Sequence, residues 1–234
     1  MSSKLNNTIK GFIVLFFSIF ALPANALLLS VTQAVPSSMG TDAEIILAPA
    51  HVLDDTVTNT SMQAFDEAQH VTTSIDYLMD DGAILSAGSE VNSHMIFLNS
   101  SGNSLLGHFG VEWTFDGVIL GVMSDQGGTM EAASSAELGN PFTNYTIPFV
   151  GSGPAAPFNA RGMESQVGGN GTNDGYTILD PYTLQVGMYV SEPGDWIRVI
   201  TASQVPAPGG LALLAIGLFG LIAGRRKTAQ DNYS

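Results

Sequence analysis

Residues 183–190 read TLQVGMYV. Leu184, Val186, Met188 and Val190 fall on alternate positions, so an extended chain puts all four on one face. A strand with one apolar face needs a sheet around it and a core beneath it. The neighbouring stretches agree. WIRVIT (196–201) follows Glu192-Pro193-Gly194-Asp195, a turn signal that predicts a second strand joined by a hairpin. EWTF and VILGV (112–122) flank Asp116-Gly117, which predicts another hairpin through a type I′ turn. VNSHMIFLN (91–99) is rich in β-branched and aromatic residues, and AEIILA (43–48), HVTTS (70–74), AILSA (83–87), YTIPFV (145–150) and YTILD (176–180) are shorter candidates. Two stretches, SMQAFDEAQ (61–69) and MEAASSAEL (130–138), read as short helices. No segment keeps a 3.6-residue period for four turns. The expected fold is all-β: a single sandwich or jelly roll over residues 27–204, with 151–175 as a long Gly- and Asn-rich surface loop.

The two ends of the chain read differently. Residues 1–26 carry Lys4 and Lys10, an apolar core from Gly11 to Leu22, and Pro23 before Ala24-Asn25-Ala26. These are the parts of a secretory signal peptide, with Ala24 and Ala26 forming the cleavage site. The mature chain is expected to begin at Leu27. At the other end, Gly209 to Gly224 is a run of 16 uncharged residues. As a helix it spans about 24 Å, against about 30 Å of bilayer hydrocarbon. Arg225, Arg226 and Lys227 follow it and should stay cytoplasmic. The expected topology is a single-pass type I intermediate in the inner membrane, with 228–234 as a cytoplasmic tail.

Composition excludes several functions. Residues 27–204 hold 20 acids and two cations, Arg161 and Arg198, and the whole chain has a formal charge of −14. Such a surface repels phosphate backbones, which rules out nucleic acid as a partner. There is no cysteine, so thiol chemistry and Cys-based metal sites are excluded. Residues 27–204 contain no lysine, so a Schiff base or a Ser-Lys dyad is excluded there.

Individual residues point weakly to chemistry. His51, His70, His94 and His108 lack HxH or HExxH spacing, and packed or surface roles are expected. Asp54-Asp55 and Asp80-Asp81 are adjacent acids, whereas a glycosidase needs carboxylates facing each other across a bond. No G-x-S-x-G elbow accompanies Ser93 or any other serine. GGNGTNDGY (168–176) is one imperfect copy of a calcium-binding repeat; Asn170, Asn173, Asp174 and Asp180 are its candidate ligands, and no other cofactor is indicated. Arg198 lies in an apolar strand, where a lone cation implies a structural ion pair.

The C-terminal residues carry a resemblance. Val205-Pro206-Ala207-Pro208, then Gly-Gly-Leu-Ala-Leu-Leu, a Gly-spaced apolar run and Arg-Arg-Lys resemble the PEP-CTERM sorting signal of Gram-negative bacteria. The commonest form of that signal has Glu at the position of Ala207. Gly209-Gly210 is also similar to the GlyGly-CTERM signal, but the Val-Pro-Ala-Pro lead-in fits the first family better. The resemblance implies recognition by exosortase, a transpeptidase-like membrane enzyme, and removal of the apolar tail on the way to the cell surface or the extracellular polysaccharide matrix. The phrases AFDEAQ (64–69), AGSEVNSHMIFLN (87–99), FDGVILGV (115–122), RGME (161–164) and EPGDWIRVIT (192–201) are similar to ectodomains attached to such signals, and imply a β-rich domain without naming a chemistry. The function expected is structural or adhesive, in the surface layer or biofilm matrix, and not enzymatic. The alternatives are a carbohydrate-binding module, using Trp113, Trp196, Tyr145 or Tyr182 if exposed, and a secreted hydrolase.

Overall fold

The computed structural model describes residues 27–33, 41–52, 61–99, 105–125, 128–145, 174–190 and 194–203. The predicted signal peptide 1–26, the apolar run 209–224, most of the predicted loop 151–175, and Asp54-Asp55 lie outside them. All of the described residues belong to one unit, Ala24–Gln204.

Twelve strands and one helix make up the described chain, which is mostly β. Four strands form an antiparallel sheet: β1 (Leu28–Gln33), β8 (Leu106–Phe115), β11 (Thr183–Val190) and β10 (Gly175–Asp180), in that spatial order. A second sheet runs β2 (Glu44–Ile45), β3 (Gln63–Asp66), β7 (Glu90–Leu98), β12 (Asp195–Ala202) and β9 (Ile119–Met123), and β4 (Val71–Thr72) also pairs with β7. A small hairpin joins β5 (Tyr77–Leu78) to β6 (Ile84–Leu85). The helix α1 spans Thr129–Leu138.

Burial separates the two larger sheets. In β11 the even-numbered residues Leu184, Val186, Met188 and Val190 are buried, while Tyr189 between them is exposed. This is the alternation that TLQVGMYV predicts, and it marks a sheet with one wet face. In β8, Val111, Trp113 and Phe115 share the inward phase. Gly110 takes φ +65 at the register shift between His108 and Val111, a bulge that a β-carbon would resist. β7 and β12 behave otherwise. Val91–Leu98 and Asp195–Thr201 are buried without a break. One apolar cluster draws on both sheets, with Trp113, Val111, Leu184 and Val186 from the first and Ile96, Leu98, Ile197 and Val199 from the second. Two more clusters lie around the alternate residues of β7 and β12: Phe65, Met95, Phe97, Trp196 and Tyr145 in one, and Val91, Ile200, Met123 and Leu138 of α1 in the other. The second sheet is therefore covered on both faces, which explains its unbroken apolar runs.

Three expectations are corrected. Asp116-Gly117 is not a hairpin turn: β8 lies in the first sheet and β9 in the second. A type I′ turn needs positive φ at both central residues, and neither residue has it. Likewise β11 and β12 lie on either side of the predicted 192–195 turn but pair in different sheets. The turn chemistry is local, and it serves equally well where the chain crosses between sheets. Gly194 is required in that crossing, because a β-carbon there would stand 2.5 Å from the Leu98 carbonyl oxygen and 1.9 Å from Asn99 Oδ1. Third, SMQAFDEAQ contains a strand: β3 pairs with β7 through Ala64↔Ile96 and Phe65↔Met95, so tertiary pairing overrides its helical composition. MEAASSAEL forms α1 as expected.

Candidate functional site

Arg198 lies on β12 and is fully buried. Its Nε donates to Glu67 Oε2 at 2.7 Å and its Nη2 to Glu67 Oε1 at 2.8 Å, a two-pronged ion pair. Nη1 donates to the Glu131 carbonyl at 2.8 Å and to Ser134 Oγ, and Nη2 donates to Ser135 Oγ at 3.1 Å. These contacts use all five guanidinium N–H groups. Glu67 also accepts from Ser93 Oγ at 2.7 Å and from the Tyr145 hydroxyl at 2.6 Å. Four donors thus fill its acceptor sites. The Tyr145 ring faces the guanidinium at 5.7 Å, and its hydroxyl accepts from Asn140 N–H at 2.8 Å. Burial opposes the charge on Arg198, but the Glu67 carboxylate outweighs it and the pKa is raised. Burial, then Glu67, pushes the Tyr145 hydroxyl far up, so it stays a donor. The expected ion pair is present, with a partner 131 residues away in sequence. With its donors and acceptors occupied, the Arg198–Glu67 pair itself has no capacity left for a substrate. It ties β12, β7, the chain after β3 and α1 together.

Glu131 is the unbalanced member. Its side chain is fully buried and neither carboxyl oxygen meets a hydrogen-bond partner of normal geometry. Burial pushes its pKa well up, Asp125 adds to this, and Arg198 opposes it. Asp125 itself caps α1, accepting from Thr129 Oγ1 and Met130 N–H at 2.7 Å each. A carboxyl group whose folded pKa exceeds its unfolded one binds more protons when folded. Stability therefore falls as pH rises through the window above the ordinary Glu value. Glu131→Gln should raise the urea midpoint at pH 7 and flatten the decline of stability with pH. A residual slope of the same sign should remain, because burial also raises Asp80 and Asp116. Urea titrations of both proteins between pH 4.5 and 8 measure this; an unchanged slope would refute the assignment.

A second polar chain was hidden from the sequence. Asp66 Oδ1 meets His94 Nδ1 at 2.7 Å, and His94 Nε2 meets Thr201 Oγ1 at 3.1 Å. Leu28 N–H also donates to Asp66 Oδ1, at 3.0 Å. The order acid, imidazole, hydroxyl is that of a nucleophilic relay. However, His94 and Thr201 have no solvent exposure, so the hydroxyl cannot meet a substrate. His94 is a packed histidine, as expected, set against Phe115 at 4.9 Å. The residues are 28 and 107 positions apart, and only strand register brings them together.

The remaining candidates are dispersed. Asp81 Oδ1 accepts from Ala83 N–H within the β5–β6 turn, and Asp80 Oδ2 accepts from the Tyr176 hydroxyl at 2.9 Å, so each acid has a structural use. Of the calcium candidates, Asn170 and Asn173 lie outside the described residues. Asp174 accepts from Tyr189 N–H, and Asp180 accepts from Tyr182 N–H at the far end of β10. Asp180 lies six positions beyond Asp174 along an extended strand, roughly 20 Å away. Among the described residues no group of three or more His, Asp or Glu could hold a metal ion. Of the four aromatics considered for sugar binding, Trp113, Trp196 and Tyr145 are buried and Tyr182 is 44% exposed. An aromatic pair that the sequence reading missed lies on the wet face of the first sheet. Phe109 and Tyr189 stack with ring centres 5.9 Å apart and an interplanar angle of 28°. Gly107 makes room for them, since a β-carbon there would come within 2.8 Å of the Tyr189 ring.

The sites above lie in a β-rich domain whose buried Arg198–Glu67 ion pair is fully hydrogen-bonded. Comparison with known proteins supplies the rest. Residues 204–227 match the family model described as the PEP-CTERM protein-sorting motif. The chain thus carries a PEP-CTERM sorting signal, with Val205, Pro206, Ala207 and Pro208 at its head and Arg225, Arg226 and Lys227 at its end, and it is an exported protein sorted by that signal. No curated protein and no solved structure matches the chain. No helix among the described residues is long and apolar enough to cross a membrane; the 209–224 run lies outside them.

Proposed function

We propose that this protein is a structural or adhesive component of the cell surface or extracellular matrix. The sorting motif at residues 204–227 is the observation that carries this reading. In it, the two larger sheets are the layers of a β-sandwich, the signal peptide 1–26 is removed on export, and 209–224 holds the chain briefly in the inner membrane. Exosortase then releases it to the surface. The reading calls for no enzyme activity and no cofactor. A saturated ion-pair centre and an acidic, lysine-free ectodomain suit a stable, soluble scaffold. The Phe109–Tyr189 stack favours a second reading, in which the wet face of the first sheet binds extracellular polysaccharide. There the rings would pack on sugar C–H faces, and Gln185 and Glu112, linked at 3.3 Å, would meet hydroxyls.

Antibody labelling of intact cells, with fractionation of the matrix, tests the first reading. The protein should be found outside the cell; retention in the cytoplasm would sink the proposal. The second reading predicts that purified ectodomain binds matrix polysaccharide and that Tyr189→Ala weakens this about tenfold, a loss of roughly 1.4 kcal/mol. Equal binding by the two proteins would leave the stack without that role.

A further inference from the structure

The sorting motif starts at Gln204, and the described fold runs to Ser203. Ser203, the residue directly before the motif, is still held by the domain. β12 stays paired with β7 through Ala202↔Val91, and Ser203 N–H donates to the Glu90 carbonyl at 3.4 Å. The Ser203 side chain is gripped as well. Its Oγ is 2.6 Å from His70 Nδ1 and 3.2 Å from Glu90 Oε1, and His70 and Glu90 approach to 3.5 Å. One proton arrangement satisfies both short contacts: His70 Nδ1–H donates to Ser203, and the Ser203 hydroxyl donates to the Glu90 carboxylate. His70 is held in place by an unusual backbone. It is the one non-glycine described residue with positive φ, at 54°, and its N–H donates to Asn92 Oδ1 at 2.7 Å. A side chain held in the left-handed region persists only where its surroundings fix it, and such positions gather at functional sites.

The covalent reach is short. An extended chain covers at most about 3.6 Å per residue, so Val205 to Pro208 lie within roughly 7–18 Å of Ser203. An enzyme that holds these four residues extended must work against the edge of the domain or draw the end of β12 off β7. Strand ends open most easily, and a side-chain grip at the last residue opposes that opening. We propose that His70, Glu90 and Ser203 form a clasp that fixes the exit of the chain from the domain, and that opening it is a step in processing by the sorting enzyme. The inference rests on the sorting function proposed above. Its consequence is that the ectodomain sets how fast its own signal is handled.

The test uses the full chain in membranes containing the sorting enzyme. Loss of the tail is followed by mass spectrometry, and amide hydrogen exchange at Ala202 and Ser203 is read on the purified full chain. His70→Ala removes the clasp. Glu90→Gln keeps an acceptor for Ser203. A Gly-Ser-Gly-Ser insertion between Ser203 and Gln204 adds reach with the clasp intact. Tail loss should be at least threefold faster in His70→Ala and in the insertion, and close to the original rate in Glu90→Gln. Exchange at Ala202 and Ser203 should rise at least tenfold in His70→Ala alone. Unchanged exchange in His70→Ala overturns the clasp. Acceleration by the insertion but not by His70→Ala shows crowding alone and also overturns it. If the unaltered chain never loses its tail, the sorting function fails and the processing step falls with it, while the exchange data still report separately whether His70 grips the strand end.

Discussion

Replacing Arg198 with methionine should destabilise the ectodomain by about 3–5 kcal/mol, the usual result of removing one partner from a buried ion pair. Methionine fills much of the volume, so packing loss is a small part of the effect. The larger part is Glu67, left buried with its charge and without the guanidinium that neutralises it. For a domain of this size the thermal midpoint should fall by roughly 6–20 °C. A domain of ordinary stability holds only about 5–15 kcal/mol, so the variant is expected to be partly unfolded in the cell. The double variant Arg198→Met/Glu67→Gln separates the causes. It removes the stranded charge and leaves an amide oxygen to accept from Tyr145. About half of the lost stability or more should return, and the double-mutant cycle should show strong coupling. Urea denaturation of residues 27–204 is the measurement. A loss under 1 kcal/mol in the single variant would mean that the centre opens to water.

The ion pair shows how far the sequence could be read. A lone cation in the run IRVI has to find a partner, because an unpaired buried charge is too costly. That much was legible at Arg198. The partner was not, since Glu67 enters the site through the pairing of β3 and β12 with β7, and register is a property of the assembled sheet. The same limit hid Asp66–His94–Thr201. Alternation in TLQVGMYV gave both the buried phase and, in principle, the exposed Tyr189. The inward phase of Trp113 with Val111 and Phe115 was equally open to reading. Trp196 was harder, because β12 is covered on both faces and its periodicity carries no information. The turn signals at 116–117 and 192–195 correctly marked where strands end. They could not say whether the next strand would join the same sheet. In SMQAFDEAQ, good helix formers yielded to the pairing of Ala64 and Phe65 with β7, a long-range gain that a local scale omits.

The second large effect is expected at the other end of the chain. Replacing Arg225, Arg226 and Lys227 together with serine should release much of the protein from the membrane. Each cation costs roughly 2.5–3.5 kcal/mol at the centre of a bilayer on insertion scales, so three in succession make a strong stop to export. The apolar run before them has only 16 residues. As a helix of about 24 Å it would fall short of the hydrocarbon thickness, and its own hold would be weak. On the proposed topology the cations would decide whether the chain halts at all, and chains that slip past should appear as soluble exported protein that keeps residues beyond Gly224. In the unaltered protein the short run has a different consequence. A segment that only needs to pause the chain need not be a durable anchor, which fits a signal that is read and removed. Mass spectrometry of the surface fraction should therefore find ectodomain peptides and no peptide from Leu211 onward. A surface form that retains its sequence through Lys227 would make the protein a permanently anchored one. The basic residues would still set its topology, and the removal of the tail by a sorting enzyme would be wrong.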